Sequence, residues 1–243
     1  MTKRLKRRLQ ALHLENLSAY RAYLEHHPDE WTVFESFCRI TISRFYRDRE
    51  AFETLRTEVL PRLARCARAG QEQTLRCWSA GCASGEEPYT LAMLWQLCLT
   101  SQFPEMSLHL IATDVDPHLL ERARKGWYTH SSVRELPADW IGRGFESLDN
   151  GYRVRDVFRG AVRFVEQDIR HAVPPGPWHL ILCRNLVFTY FSRTIQQHIL
   201  ARMVARLAPG GILVVGKHEA LPPGNYNLRP YAAQQGVFQK GAV

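Results

Sequence analysis

From Thr74 onward, short apolar runs alternate with segments of helical period, and no other feature limits the fold as strongly. The runs at 75–79, 107–113, 162–166, 179–183 and 211–215 are short and mostly apolar, and helical stretches follow most of them. That alternation predicts βαβ units and a doubly wound parallel sheet, completed by strands near 225–231 and 236–240. Residues 128–160 break it: they are polar and turn-rich, with Asn150-Gly151 between Phe145 and the alternating Tyr152-Arg153-Val154-Arg155, so they read as an insertion carrying a small β-hairpin. The first 70 residues are helical in period instead, with Leu5, Leu9 and Leu12, then Leu17, Tyr20 and Leu24, then Trp31, Phe34, Phe37 and Ile40. Pro28-Asp29 interrupts them, and a further helix over 51–69 ends at Gly70. The expectation is an all-helical domain over 1–70 and an α/β domain over 71–243. With 45% of its 243 residues apolar, the chain can bury a core of that size.

Charge and cysteine usage narrow the setting. Lys3, Arg4, Lys6, Arg7 and Arg8 supply five charges of a net +8, so the excess is local and suits an acidic protein surface or a solvated helix face. Nucleic acid is the weakest reading, because no base-flipping or RNA-binding motif accompanies the charge. The longest apolar stretch, 91–99, contains Gln96 and is about half of the ~20 residues that cross a bilayer, so no membrane span is expected. Gln10, His13, Glu15 and Asn16 interrupt any signal-peptide core behind the basic run. Six cysteines without a CxxC pair or zinc spacing read as reduced thiols. No metal site, a cytoplasmic location and a monomer are expected.

In an open parallel sheet the ligand lies beyond the carboxyl ends of the strands, where strand order reverses. The first strand runs into Ser79-Ala80-Gly81-Cys82-Ala83-Ser84-Gly85-Glu86-Glu87-Pro88-Tyr89. Gly81 and Gly85 let the backbone approach a ligand, and a helix beginning near Pro88 points free N–H groups at the same space. A dinucleotide would want GxGxxG there, whereas Glu86 and Glu87 repel phosphate and suit a cation such as a sulfonium bearing an α-amino group; either acid could instead only complement the helix dipole. The second strand ends at Asp114, placed to accept hydrogen bonds from ribose hydroxyls, while Asp116 reads as the cap of a helix beginning at Pro117. Asp168 and Ile169 follow the third strand, where a carboxylate and an apolar side chain suit an adenine. Asn185 and Tyr190 follow the fourth, Asn185 to hold the ligand and Tyr190 to face the reacting centre; a half-buried structural aromatic is the competing reading of Tyr190.

Together these pieces resemble S-adenosylmethionine-dependent methyltransferases, and more closely the chemotaxis-receptor glutamate O-methyltransferase (CheR) family, over nearly the whole chain. The resemblance rests on 40–47 (ITISRFYR), Trp78 with the Ser84-Gly85-Glu86-Glu87-Pro88-Tyr89 loop, 113–116 (TDVD), Cys183-Arg184-Asn185, Tyr190-Phe191 and Pro209-Gly210-Gly211. It implies that Glu87 and Asp114 hold the methionine and ribose parts of S-adenosylmethionine, that Asp168, Ile169, Asn185 and Leu186 line the adenine and its surroundings, and that Thr41, Ser43 and Arg47 reach in from the helical side. The sequence departs from the family at several points. Thr41 stands where members often have Asn, and Ser43 where they have Thr. One extra residue separates Asn185 from Tyr190, Lys217-His218-Glu219 replaces HSE, and the hairpin lacks the extra residues that dock a receptor tail in some members. By the same resemblance the chain begins inside the family's helical domain, short of its first helices.

The function these readings imply is carboxyl O-methylation with release of S-adenosylhomocysteine. An ionised carboxylate needs no general base at neutral pH, so catalysis is positioning, with Arg47 giving the acceptor a single hydrogen bond and Tyr190 orienting its other oxygen. The acceptor is a protein glutamate, as on a receptor's cytoplasmic helix; the alternatives are a small-molecule carboxylate, or a signalling module that binds the cofactor without turnover.

Overall fold

A computed structural model describes residues 2–38, 43–231 and 235–241, and the chain divides into two compact units, Met1–Ile42 and Ser43–Val243. The boundary expected at Gly70 therefore falls inside the second unit. The helices before it belong to the sheet's own core: Phe52, Leu55, Val59, Leu60, Leu63 and Ala67 are buried in one cluster with Leu75 and Cys77 of the first strand.

The first unit holds α1 (Thr2–Ala11), α2 (Leu17–His26) and α3 (Pro28–Cys38). Asn16 caps α2 by accepting the Ala19 N–H at 2.9 Å. Arg8, read from the sequence as part of an exposed basic run, instead forks onto Glu30 at 2.9 and 2.6 Å, and the Tyr20 hydroxyl donates to the same carboxylate at 2.7 Å. Arg8 holds Glu30 below the ordinary carboxylate range.

The second unit opens with α4 (Arg49–Thr54), a π-turn (Leu55–Val59) and α5 (Leu60–Ala69). There follow β1 (Thr74–Ala80), α6 (Glu86–Leu94) with a π-turn (Trp95–Leu99), β2 (Ser107–Asp114) and α7 (Pro117–Lys125). The insertion contains β3 (Trp127–Tyr128), α8 (His130–Val133), α9 (Ala138–Gly144), β4 (Phe145–Leu148), β5 (Gly151–Val154) and α10 (Asp156–Arg159). The chain ends with β6 (Val162–Glu166), β7 (Trp178–Cys183), α11 (Val187–Tyr190), α12 (Arg193–Arg206), β8 (Leu207–Val215), β9 (Leu228–Pro230) and β10 (Val237–Lys240).

The main sheet runs β6-β2-β1-β7-β8-β10-β9, parallel through its first five strands, with β10 antiparallel to both of its neighbours. Alternate residues of the strands feed two cores. Leu75, Cys77, Leu110, Leu180 and Ile212 face the cluster that includes α5 and α6, while Trp78, Ile181 and Leu213 face Ile199, Leu200 and Met203 of α12. β7 is buried at all six positions, as a central parallel strand covered on both faces must be. The chain leaves β1 toward β2 and β6, then returns to β7 on the other side, so the reversal of strand order lies between β1 and β7. The insertion forms its own sheet, β3-β5-β4. Its two-residue turn is Asp149-Asn150, because Leu148 pairs with Gly151, so the Asn-Gly pair sits one position later than the turn it signalled. Among the described residues no helix is long and apolar enough to cross a membrane.

Candidate active site at the carboxyl ends of the parallel strands

The loop after β1 turns back at once onto the end of β2. Gly81 and Cys82 donate to the Thr113 carbonyl at 2.8 and 3.0 Å, and the Ala83 N–H donates to Asp114 Oδ2 at 2.8 Å. Asp114 Oδ1 accepts the Asp116 N–H at 3.0 Å. A carboxylate offers about four acceptor positions, so these bonds orient Asp114 without exhausting it. Asp116 caps α7 as expected, accepting from His118 and Leu119. Gly81 is required where it stands: its φ is +72°, and a Cβ there would lie 2.4 Å from Leu186 Cδ2. That contact brings the loops after β1 and β7 together at the reversal point.

The two adjacent acids have different fates. Glu86 is 1% exposed, accepts from Ser84 Oγ at 3.0 and 2.9 Å, and is also bonded by Ser43. Burial pushes its carboxyl above the ordinary range, against the pull of its own backbone N–H, Ser43 and Ser84. With a raised folded pKa, the native state binds more protons than the unfolded chain in the window above the ordinary value of 4.5, so stability falls as pH rises through it. Glu86→Gln is expected to lose less stability than the parent between about pH 5 and about pH 7 in urea unfolding; identical losses would mean that Glu86 is ionised throughout. Glu87 faces the strand ends: Ser79 Oγ donates to Oε1 at 2.8 Å and Arg184 Nη1 to Oε2 at 3.1 Å.

Arg184 follows the last residue of β7, and its side chain is 4% exposed. Beyond Glu87 it bonds the Arg47 carbonyl through Nη2 at 3.0 Å, pairs with the Asp48 carboxylate, and lies 5.2 Å from the Phe52 ring centre. Its buried Nε has no hydrogen-bond partner among the described residues. The segment it meets is fixed by Phe45 and Tyr46, both fully buried. Phe45 packs edge-on to Tyr128 and Phe145, and the Tyr46 N–H donates to Thr90 Oγ1 at 3.2 Å. Arg47 thus sits between two residues in the left-handed region, Tyr46 at φ +58° and Asp48 at φ +61°.

Asn185 is also left-handed, at φ +55°. Its N–H and that of Gly216 both donate to Glu219 Oε2, at 2.8 and 2.7 Å, while Thr189 Oγ1 donates to Oε1 at 2.5 Å. A Cβ on Gly216 would lie 2.6 Å from Asn185 Nδ2 and 2.9 Å from Glu219 Oε2, so a larger residue there would have to displace one of these side chains. The role of Glu219, open at the level of sequence, is therefore to bind the turn after β7 to the end of β8. Glu219→Ala strands two backbone donors and is expected to lower the unfolding free energy by about 1–3 kcal/mol; an unchanged urea midpoint would contradict this geometry.

The other expected residues are placed less uniformly. Ile169 is buried in the cluster with Trp78, Ala80 and Val187, and Leu186 packs against that cluster. Asp168 is held by its own neighbour: Arg170 forks onto both oxygens, keeping the carboxyl below its ordinary range. Tyr190 is 50% exposed, and its hydroxyl makes no hydrogen bond among the described residues, so the structure does not bring it into the Glu87–Arg184 network. Tyr190 closes the single turn of α11, its N–H donating to the Leu186 carbonyl at 3.0 Å. Thr41 lies outside the described residues.

Beside Asp48 a cavity of about 270 Å³ is lined by Arg49, Glu50, Ala51, Val215, Lys217 and Gln235. Among the described residues no cluster of three or more His, Cys, Asp or Glu side chains is arranged to hold a metal ion.

The donor set fits an amino-acid-bearing sulfonium nucleoside. The glycine approach at Gly81 and the oriented acids Glu87 and Asp114 offer the close backbone and the acceptors that an ammonium and hydroxyls require. Arg184 and Glu219 escaped the residue-by-residue reading because their partners lie 136 and 34 positions away. The one signal in the sequence is an arginine directly after a largely apolar, fully buried strand, which demands a buried counter-charge.

Residues 41–237 match the family described as CheR methyltransferase, SAM binding domain, and residues 1–36 match CheR methyltransferase, all-alpha domain. The chain is 34% identical over 224 residues to the chemotaxis protein methyltransferase of Escherichia coli K12, covering 89% of this chain and 74% of that one. It is 33% identical over 196 residues to the chemotaxis protein methyltransferase of Listeria monocytogenes, covering 80% and 71%. It is 30% identical over 237 residues to an uncharacterized 104.1 kDa protein of Rhodobacter capsulatus, where 98% of this chain spans only 25% of the relative. With a doubly wound sheet, a loop of glycines and acids at its reversal point and both matched parts in sequence, the chain belongs to the CheR family of S-adenosylmethionine-dependent methyltransferases.

Proposed function

We propose that the protein is a carboxyl O-methyltransferase whose acceptor is a glutamate on an acidic, cytoplasmic protein surface such as a receptor helix. One observation carries the choice of acceptor. Among the described residues the polar groups gathered at the strand ends are Ser79, Glu87, Asp114, Arg184, Asn185 and Glu219, with Arg47 and Asp48 beside them; none is a histidine, lysine or cysteine, each acid is held by hydrogen bonds, and His218 is exposed. Cys82, beside Asp114, is fully buried and its thiol is pushed far up by that burial, so it stays protonated. An amine, amide or hydroxyl acceptor must lose a proton, whereas a carboxylate is already ionised at neutral pH. The relatives' names, chemotaxis protein methyltransferase, favour a receptor glutamate among carboxylates.

S-adenosylmethionine supplies an electrophilic methyl group on a sulfonium. Glu87, oriented by Ser79, holds the ammonium of its amino-acid part, and Asp114 accepts from the ribose hydroxyls. Asn185, Leu186 and Ile169 form the nucleoside wall, Gly81 lets the backbone approach, and Asp168 takes part only by sharing oxygens with Arg170. Ser43, held on Glu86, stands at the edge of the same site. Arg47 gives the acceptor carboxylate one hydrogen bond, which orients the oxygen without quenching it as a bidentate pair would. Tyr190, on an exposed turn, orients the acceptor's second oxygen.

Methyl-tritiated cofactor offered separately to the host's protein fraction and to its small-molecule filtrate, followed by base treatment and counting of volatile methanol, tests this. Base-labile counts in protein are expected. Counts in the filtrate alone would move the acceptor to a metabolite carboxylate, and a protein that binds the cofactor without base-labile counts in either would defeat the ester reading.

A further inference from the structure

Arg184 is enclosed among groups from three parts of the second unit. Nη1 bonds Glu87 at the start of α6, Nη2 bonds the Arg47 carbonyl and Asp48, and the guanidinium carbon faces Phe52 of α4. The backbone at its acceptor end is strained: Tyr46 and Asp48 both have positive φ, a region that residues with a Cβ rarely adopt. The burial of Phe45 and Tyr46 holds one side of Arg47, and on the other side Arg184 bonds both the Arg47 carbonyl and the Asp48 carboxylate.

We propose that Arg184 is a positioning residue that presents Arg47 to the acceptor and ties that presentation to the occupancy of Glu87. This rests on the reading of Arg47 and Glu87 given under Proposed function. The argument is electrostatic. Arg184, 4% exposed, shares one positive charge between the largely buried Glu87 and the partly exposed Asp48, and salt screens partly buried pairs less than exposed ones. A ligand ammonium at Glu87 competes for Oε2, so the guanidinium leans more heavily on Asp48 and the Arg47 carbonyl, and the strained segment tightens. Filling the cofactor side thereby sets the acceptor side. A lysine keeps the charge but offers a single nitrogen and cannot span Glu87 and the Arg47 carbonyl together.

The test uses the full chain, with S-adenosylhomocysteine as probe, and compares the parent with Arg184→Lys, which avoids the uncompensated acids that alanine would leave. In the parent, the probe is expected to slow amide hydrogen exchange across residues 43–52 by at least about fivefold, and in Arg184→Lys this linked slowing disappears. Exchange in α12, whose Ile199, Leu200 and Met203 pack on the opposite face of the sheet from α5 and α6, stays the same in both proteins. In turnover, Arg184→Lys lowers kcat by about tenfold, yet changes it by less than about twofold when Arg47 is already alanine, the non-additivity of one residue acting through another. Equal probe-linked slowing in both proteins, or additive losses of kcat, would overturn the proposal. A protein that binds the probe but methylates no carboxylate defeats only the acceptor reading, and the exchange comparison still decides the coupling.

Discussion

Replacing Asp114 with alanine is expected to weaken S-adenosylhomocysteine binding by at least about a hundredfold, close to 2.7 kcal/mol at about 1.4 kcal/mol per decade. Two losses combine. The ribose hydroxyls lose a charged acceptor, and hydrogen bonds to charged groups contribute about 1.5–3 kcal/mol. The loop after β1 also loses the anchor on the Ala83 N–H that holds Gly81 against Leu186. Asp114→Asn keeps one oxygen acceptor and should lose about tenfold, so the pair of variants separates charge from shape. Calorimetric titration reads both affinities, and thermal unfolding without ligand checks that the loop still folds. Parent-like affinity in Asp114→Ala would remove the residue from the cofactor site.

The second large effect belongs to Arg47 and has the opposite signature. Arg47→Ala is expected to lower kcat by at least about a hundredfold, with S-adenosylhomocysteine affinity within about threefold of the parent, because an interaction made chiefly with the acceptor appears in turnover and not in cofactor binding. The fold should tolerate the change. What Arg184 grips is the Arg47 carbonyl, which alanine retains, and the segment is anchored by Phe45 and Tyr46. Raising acceptor concentration should not restore the rate if the guanidinium orients the carboxylate in the transition state. A variant with near-parent kcat would exclude Arg47 from catalysis, and a large loss of affinity would place it on the cofactor.

The positions of these residues were unequally legible before the fold was known. Asp114 was legible because the acid at the end of a second parallel strand is a local pattern: strand period, then carboxylate, then a capped helix. The residues alone narrow the ammonium ligand only to the pair Glu86 and Glu87, neighbours in sequence, and the family resemblance singles out Glu87. Helical geometry points one into the Ser43–Ser84 pocket and the other toward Ser79 and Arg184. For Asp168 the sequence showed an acid at a strand end but not that Arg170, two positions on, folds back over it. The boundary at Gly70 followed helical punctuation, yet helices before and after such a point can share a core, as α5 does with β1.

What the sequence determined by itself was the layered α/β architecture, the small hairpin insertion, the acids after β1 and β2 and the family. Each is written in short-range periodicity or in a contiguous motif, where one residue's neighbours in the chain are also its neighbours in space. The tertiary structure alone decided the linkage of Glu87 through Arg184 to Asp48 and the Arg47 carbonyl, and the clamp of Glu219 on Asn185. Those groups meet because parallel strands deliver the ends of distant segments to one edge of the sheet. The low polarity there makes a buried arginine or a stranded N–H costly unless a partner comes from another strand, and no local pattern names that partner.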